Sequence, residues 1–377
     1  MASAVLAGTA ALPYNRRMRR LYLRDCTAGD VVEDVFVITG KQLAATASGK
    51  FYIKAMVGDS TAQVTARMWN ATRDIFNALP DAGFLKIRGR IENYQNNLQF
   101  IIEQVWPAQD GTFEIGELVP HTSRDIDQMY RQVVELCQSV QNRHLCALLQ
   151  AYLDDEKLMA DFRKSPAAMS FHHAYIGGLL EHTLSAMTVG DAIVRFYPGL
   201  NRDLVLAGIF LHDLAKTWEL SSQPGFDYTD GGRLVGHVVK GAIWVEQKAR
   251  QAEQMLGEPI PASLVDVLQH IILSHHGDTS LDFGSARSPC TPEAIAVHTI
   301  EHFDAKMMMA LHACRGDQDS AAGDWTEYMK AFSGRLYRLD VAPEDAQLPP
   351  DPPAADNAVP TLKMEITNPL FEQTRRG

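Results

Sequence analysis

Between residues 29 and 106 apolar and polar positions alternate in short runs separated by turn residues, the pattern of half-buried strands. In GFLKIRGRIENY, Leu85, Ile87, Gly89 and Ile91 share one side while Lys86, Arg88 and Arg90 take the other. KFYIKAMV sets Phe51, Ile53, Ala55 and Val57 against Tyr52, Lys54 and Met56, and TAQVTARMW sets Ala62, Val64, Ala66 and Met68 against Gln63, Thr65, Arg67 and Trp69. NNLQFIIEQVW closes the set, and NATRDIFNALP, between the third and fourth strands, predicts one short helix with an Asn cap.

From Asp125 to about Leu339 the apolar spacing becomes helical, with helices expected near 125–140, 142–154, 173–196, 203–219, 235–256, 261–275, 292–313 and 324–337. The fold class is therefore multidomain: an N-terminal all-β barrel of the OB type over 25–107, then an all-α helical bundle over 125–340. A basic N-terminal extension occupies 1–24, a Pro- and Gly-containing linker 108–124, and a Pro/Asp-rich tail, expected to be disordered, 341–377.

Charge changes this picture by region. The net charge of −11 divides into +4 for residues 1–107 and −15 for the remainder, so phosphate contacts are expected in the first part and cation-holding carboxylates in the second. Five cysteines without paired spacing argue against a disulfide framework and against a Cys-based zinc site. Apolar runs fall short of a membrane span, and the opening segment carries its charges after the apolar part, so no membrane partner and a cytoplasmic location are expected.

Candidate chemistry lies in the helical part. FLHDLAKTWEL places His212 and Asp213 at the end of a segment that is apolar on nearly every side, where both are costly to bury without partners. Further metal-competent residues stand in other helical segments: His182, His237, His275, His276 and Asp304. A lone histidine is more often a hydrogen-bonded structural group, but an ordered series of His, His-Asp, His, His-His and Asp in separate helices is hard to explain by packing alone. On the last of these helices His298 and His302 do not share the face of Asp304, whereas Glu301 does, as a candidate for supporting a ligand.

The phrases FHHAYIGGLLEHTLSAM, RDLVLAGIFLHDLAKTWEL, FDYTDGGRLVGHVVKGA and ILSHHGDTSLDFGSARSPCTPEAIAVHTIEHFDAKM are similar to HD-domain metal-dependent phosphohydrolases and, among them, to the YhaM-type 3′-to-5′ exoribonucleases, which also place an OB domain first. The resemblance covers roughly residues 25–338. It implies a first metal site of His182, His212, Asp213 and Asp304, and a second added by His237, His275 and His276 with Asp213 bridging. It also implies Mn²⁺, whereas the thiolate-free donor set alone leaves Fe²⁺ and Mg²⁺ open.

Two divalent ions roughly 3.5–4 Å apart would share an activated hydroxide for in-line attack on a phosphodiester. Asp213 and Lys216 are then the candidate catalytic residues, the latter facing a phosphate, and His173 is a candidate substrate contact. Tyr52, Lys54, Arg67, Trp69, Lys86, Arg88 and Arg90 fall on one alternation class of the barrel, mixing rings and cations as single-stranded nucleic acid requires. The expected function is a metal-dependent 3′-to-5′ exonuclease acting on single-stranded RNA and releasing nucleoside monophosphates, with the choice between RNA and single-stranded DNA left open. The alternatives are hydrolysis of a cyclic dinucleotide or nucleotide, and a non-catalytic single-strand binder. A homo-oligomer is left open.

Overall fold

The computed structural model describes residues 20–95, 97–109, 111–168, 173–221, 227–277, 279, 284–315 and 323–338. The chain divides into two compact units, Met1–Gly316 and Asp317–Gly377. Most of the expected N-terminal extension and the whole Pro/Asp-rich tail lie outside the described residues.

Strands β1 (Val31–Ala45), β2 (Phe51–Gly58), β3 (Gln63–Trp69), β4 (Ala82–Tyr94) and β5 (Asn97–Pro107) close into a barrel in the order β1-β2-β3-β5-β4, with helix α1 (Arg73–Ala78) between β3 and β4. That order and helix position are those of an OB fold. The period-2 reading holds inside: Ile53, Ala55, Val57, Leu85, Ile87 and Ile91 are buried, with Phe36 and Phe100 meeting edge to face at 5.5 Å. The cap of α1 is Thr72, whose Oγ1 accepts from Ile75 N, rather than the expected asparagine. Asn70 instead takes the left-handed turn at the end of β3, with φ 55°.

The connector after β5 is packed instead of free. It forms a single helical turn, α2 (Ile115–Leu118), and Leu118 and Val119 are buried with Val35 and Val37 of β1. Ser60 N also donates to Glu117 O.

The helical domain contains α3 (Ile126–Gln138), α4 (Arg143–Leu153), α5 (Glu156–Phe162), α6 (Gly178–Val194), α7 (Arg202–His212), α8 (Lys216–Glu219), α9 (Asp230–Leu256), α10 (Ala262–Ser274) and α11 (Pro292–Arg315). Helix α7 is central, buried at every residue from Val205 to His212, and its Phe210 packs edge-on against Tyr152 and Phe162.

Several helices differ from the periodic reading for backbone reasons. Helix α6 starts at Gly178 because His173 and Gly177 take left-handed φ values of 50° and 81°. The 203–219 segment breaks after His212, and 324–337 is not a helix. In the second unit, bridges Trp325↔Tyr337 and Met329↔Gly334 flank a 3₁₀ turn, with Ser333 reversing the chain at φ 51°. Its aromatic and β-branched residues favour that extended pairing. No helix among the described residues is long and apolar enough to cross a membrane.

Candidate metal centre and barrel surface

Helix ends deliver most of the polar cluster. Helix α7 stops at His212, and Asp213 caps it before the chain turns into α8. A carboxylate at a helix C-terminus opposes the macrodipole, and Asp213 is only 1% exposed, so its place depends on cationic or donor partners. Lys216 Nζ supplies one at 2.7 Å from Oδ2. At the end of α10, His275 is the cap and His276 follows it. In α9 the backbone at Gly236 leaves the helix with φ 76° and ψ 157°, a conformation costly for any residue with a Cβ. This bend turns His237 toward Glu219, which accepts from His237 N at 2.9 Å and pairs with its Nδ1 at 2.8 Å.

The hydrogen bonds determine where each imidazole lone pair points. His212 Nδ1 lies 2.6 Å from Ile209 O and His275 Nδ1 lies 2.7 Å from Ile272 O. A carbonyl only accepts, so both rings carry a proton on Nδ1, which in the neutral imidazole leaves Nε2 bare. Carboxylates of Glu219 and Asp304 impose the same tautomer on His237 and His182, the latter through a 2.7 Å contact to Nδ1. Bare nitrogens therefore converge: His237 Nε2 and His275 Nε2 stand 3.3 and 3.5 Å from Asp213 Oδ1, and His182 Nε2 stands 3.3 Å from His212 Nε2.

Asp213 Oδ1, His237 Nε2 and His275 Nε2 are buried with no hydrogen-bond partner. Three orphaned acceptors aimed at one another repel unless a cation joins them. A divalent ion fits this nitrogen and oxygen donor set, which contains no thiolate. Ligand atoms of Asp213, His237, His275 and His276 lie within 4.8 Å of one another, as do those of His182, His212 and Asp213.

Charge is tuned accordingly. Burial lowers His275 to about 4 and moves His276 further in the same direction, keeping both neutral. Burial also lowers His182. For Asp213 burial is outweighed by the Lys216 ammonium and then by His212, holding the carboxyl well below its usual range. For Asp304 burial is outweighed by hydrogen bonds from His173 and His182. Glu301 goes the other way, raised to about 7 by burial and then by the Asp213 charge.

Three expected roles look different in the structure. Asp304 groups with His182 and His173, its Oδ2 2.7 Å from His182 Nδ1, and not with the His212 and Asp213 atoms. Lys216 is engaged by Asp213 rather than facing outward. His173, expected to reach substrate, is buried, with Nδ1 2.9 Å from Tyr175 Oη and Nε2 3.3 Å from Asp304 Oδ2. Sequence reasoning missed Glu219, Ser185, Tyr175, Glu181 and Thr122. Glu219 lies six positions beyond Asp213, and no spacing rule points to it. His298, set aside earlier, uses Nδ1 to donate to His275 O at 2.7 Å.

On the barrel, Tyr52 pairs with Trp69 and Lys54 with Arg67 across β2 and β3. The two rings lie 5.0 Å apart, and the Arg67 guanidinium lies 5.8, 5.5 and 5.0 Å from the rings of Tyr52, Trp69 and Tyr94. Lys86, Arg88 and Arg90 occupy another sector, because β4 borders β1 and β5 and not β2. Each faces carboxylates: Lys86 and Arg88 share Glu33, and Arg90 pairs with Glu92 and Glu103. The seven side chains thus form two sectors instead of one continuous face.

Fold and site together define the class: an OB barrel joined to an HD-domain, metal-dependent hydrolase of phosphodiester bonds. The HD domain family model matches residues 179–306. A Geobacillus sp. (strain WCH70) protein named 3′-5′ exoribonuclease YhaM is 30% identical over 310 residues, 82% of this chain and 92% of its own length. The protein of the same name from Bacillus velezensis is 29% identical over 310 residues, covering 82% of this chain and 95% of its own. The chain belongs to the YhaM family of 3′-5′ exoribonucleases.

Proposed function

We propose that the protein is a cytoplasmic exoribonuclease that shortens single-stranded RNA from its 3′ end, releasing nucleoside monophosphates, with two divalent ions, Mn²⁺ by preference, held by the histidine and aspartate cluster. The observation that carries this reading is the convergence of Asp213 Oδ1, His237 Nε2 and His275 Nε2, buried and unpartnered, beside His182 Nε2 and His212 Nε2. Bound divalent metal supplies an activated water and positive charge for the phosphate oxygens.

The chain's own residues do the rest. Asp213 presents Oδ1 to the His237 and His275 side and Oδ2 to the His182 and His212 side, so a single carboxylate serves both ligand groups. Glu219 and the Ile209 and Ile272 carbonyls hold three imidazoles in the tautomer that leaves Nε2 bare. Lys216, on the same carboxylate, adds positive charge beside both ligand groups. On the barrel, Tyr52, Trp69 and Tyr94 offer stacking surfaces around Arg67, with Lys54 beside them for the phosphate backbone, while Lys86, Arg88 and Arg90 form a second cationic sector for it. Tethering this surface to the hydrolytic domain raises local substrate concentration.

Incubation with Mn²⁺ and a 5′-labelled single-stranded RNA tests the proposal. A ladder shortening from the 3′ end supports it. An intact oligomer with turnover of a cyclic dinucleotide, or retention without cleavage, overturns it in favour of a nucleotide phosphohydrolase or a binding protein.

A further inference from the structure

We propose that the connector between barrel and helical domain positions the metal ligands, acting through a partly buried chain of hydrogen bonds in which Tyr175 is the central link. The inference rests on reading the cluster around His182 as a metal site. Connector residue Thr122 donates from its backbone N to Ile176 O at 3.0 Å, and Pro120 O accepts from Ile176 N at 2.9 Å. The Thr122 hydroxyl donates to Glu181 Oε2 at 2.6 Å, and the Tyr175 hydroxyl donates to the same oxygen at 3.0 Å. Tyr175 Oη also lies 2.9 Å from His173 Nδ1. His173 Nε2 then lies 3.3 Å from Asp304 Oδ2, the atom that holds His182 Nδ1 at 2.7 Å. Ser185 Oγ donates to the other oxygen of Asp304.

Two further observations set this chain apart from ordinary core polar contacts. His173 keeps a left-handed φ of 50°, a strained backbone for a residue with a side chain. The loop closes so tightly there that a Cβ on Gly178 would lie 2.0 Å from His173 O. At the opposite end, Ile176 packs with Leu118 and Val119 of the connector and with Val35 and Val37 of β1. Barrel strand, connector and ligand-bearing helix therefore share one continuous path. Packing alone would be served by phenylalanine at 175 and valine at 122; the hydroxyls matter because they orient what lies beyond them.

The test is titration of full-length, metal-stripped protein with Mn²⁺ in a calorimeter, paired with thermal unfolding in chelator. Tyr175→Phe is expected to weaken Mn²⁺ binding by about 10–100-fold. Thr122→Val should weaken it in the same direction and Thr122→Ser should restore it, with metal-free unfolding temperatures close to wild type. A Tyr175→Phe protein that fails to fold leaves the Thr122 pair to decide. Wild-type affinity in both Tyr175→Phe and Thr122→Val overturns the connector's role while leaving the metal centre standing. A wild-type protein that takes up no Mn²⁺ overturns the metal centre and this inference together.

Discussion

On the barrel, Lys86 Nζ meets a Glu33 oxygen at 2.7 Å, and the two side chains are 47% and 40% exposed. In the helical domain, Lys216 Nζ meets an Asp213 oxygen at the same 2.7 Å, with side chains 12% and 2% exposed. Identical distance carries opposite consequences. The surface pair is screened by water and is worth about 0–1 kcal/mol, and either partner can be lost because solvent replaces it. The interior pair has no solvent to fall back on, so removing a partner leaves a desolvated group uncompensated. Single-atom changes should therefore be decisive around Asp213 and nearly silent around Glu33, while aromatic changes on the barrel fall between.

The largest expected effect is that of Asp213→Asn, which keeps the shape and removes the charge that both ligand groups share. Turnover of labelled RNA should fall by at least about 10²–10³-fold, with oligonucleotide retention in a filter assay unchanged. Glu219→Gln comes next. It frees the His237 tautomer, and Mn²⁺ affinity measured by calorimetry should drop by about 10–100-fold. Trp69→Ala moves the test to the barrel: affinity for single-stranded RNA, read by fluorescence anisotropy, should weaken by about 1–3 kcal/mol, with kcat at saturating RNA retained.

Acid sharpens the contrast more gently. The folded value of His275, about 4, lies below the unfolded 6.5, so the folded chain binds fewer protons between those limits. Its stabilising contribution is complete above pH 6.5 and drains away as pH falls toward about 4. The lowered His276 acts in the same sense, while His212, raised because Asp213 outweighs burial, acts in the opposite one. The unfolding temperature of metal-stripped protein should decline across that window. Smallest of all is Glu33→Gln, expected to change stability by less than about 1 kcal/mol in a urea titration.

What could be read from the chain, and what could not, follows the same division. Alternation placed Ile53, Ala55 and Val57 inside β2 and Leu85, Ile87 and Ile91 inside β4, because a strand's period leaves each residue only one face. The histidines and aspartates stood out because burying them at helix ends is costly without a shared purpose. Closure of the barrel was not legible: alternation says outward, not which way around, so Lys86 and Lys54 could not be assigned to different sectors. Nor were the backbone breaks at His173 and after His212, where no glycine or proline marks the change. Glu219 and Tyr175 were invisible for a related reason, since each acts through a neighbour brought to it by the fold.

The most direct test of the account is an anomalous difference map from crystals of the protein soaked in Mn²⁺. A peak is expected within the cluster of Asp213, His237 and His275, with a second on the His182 and His212 side of the same carboxylate. A map in which this cluster holds no manganese while its imidazoles keep their places would contradict it.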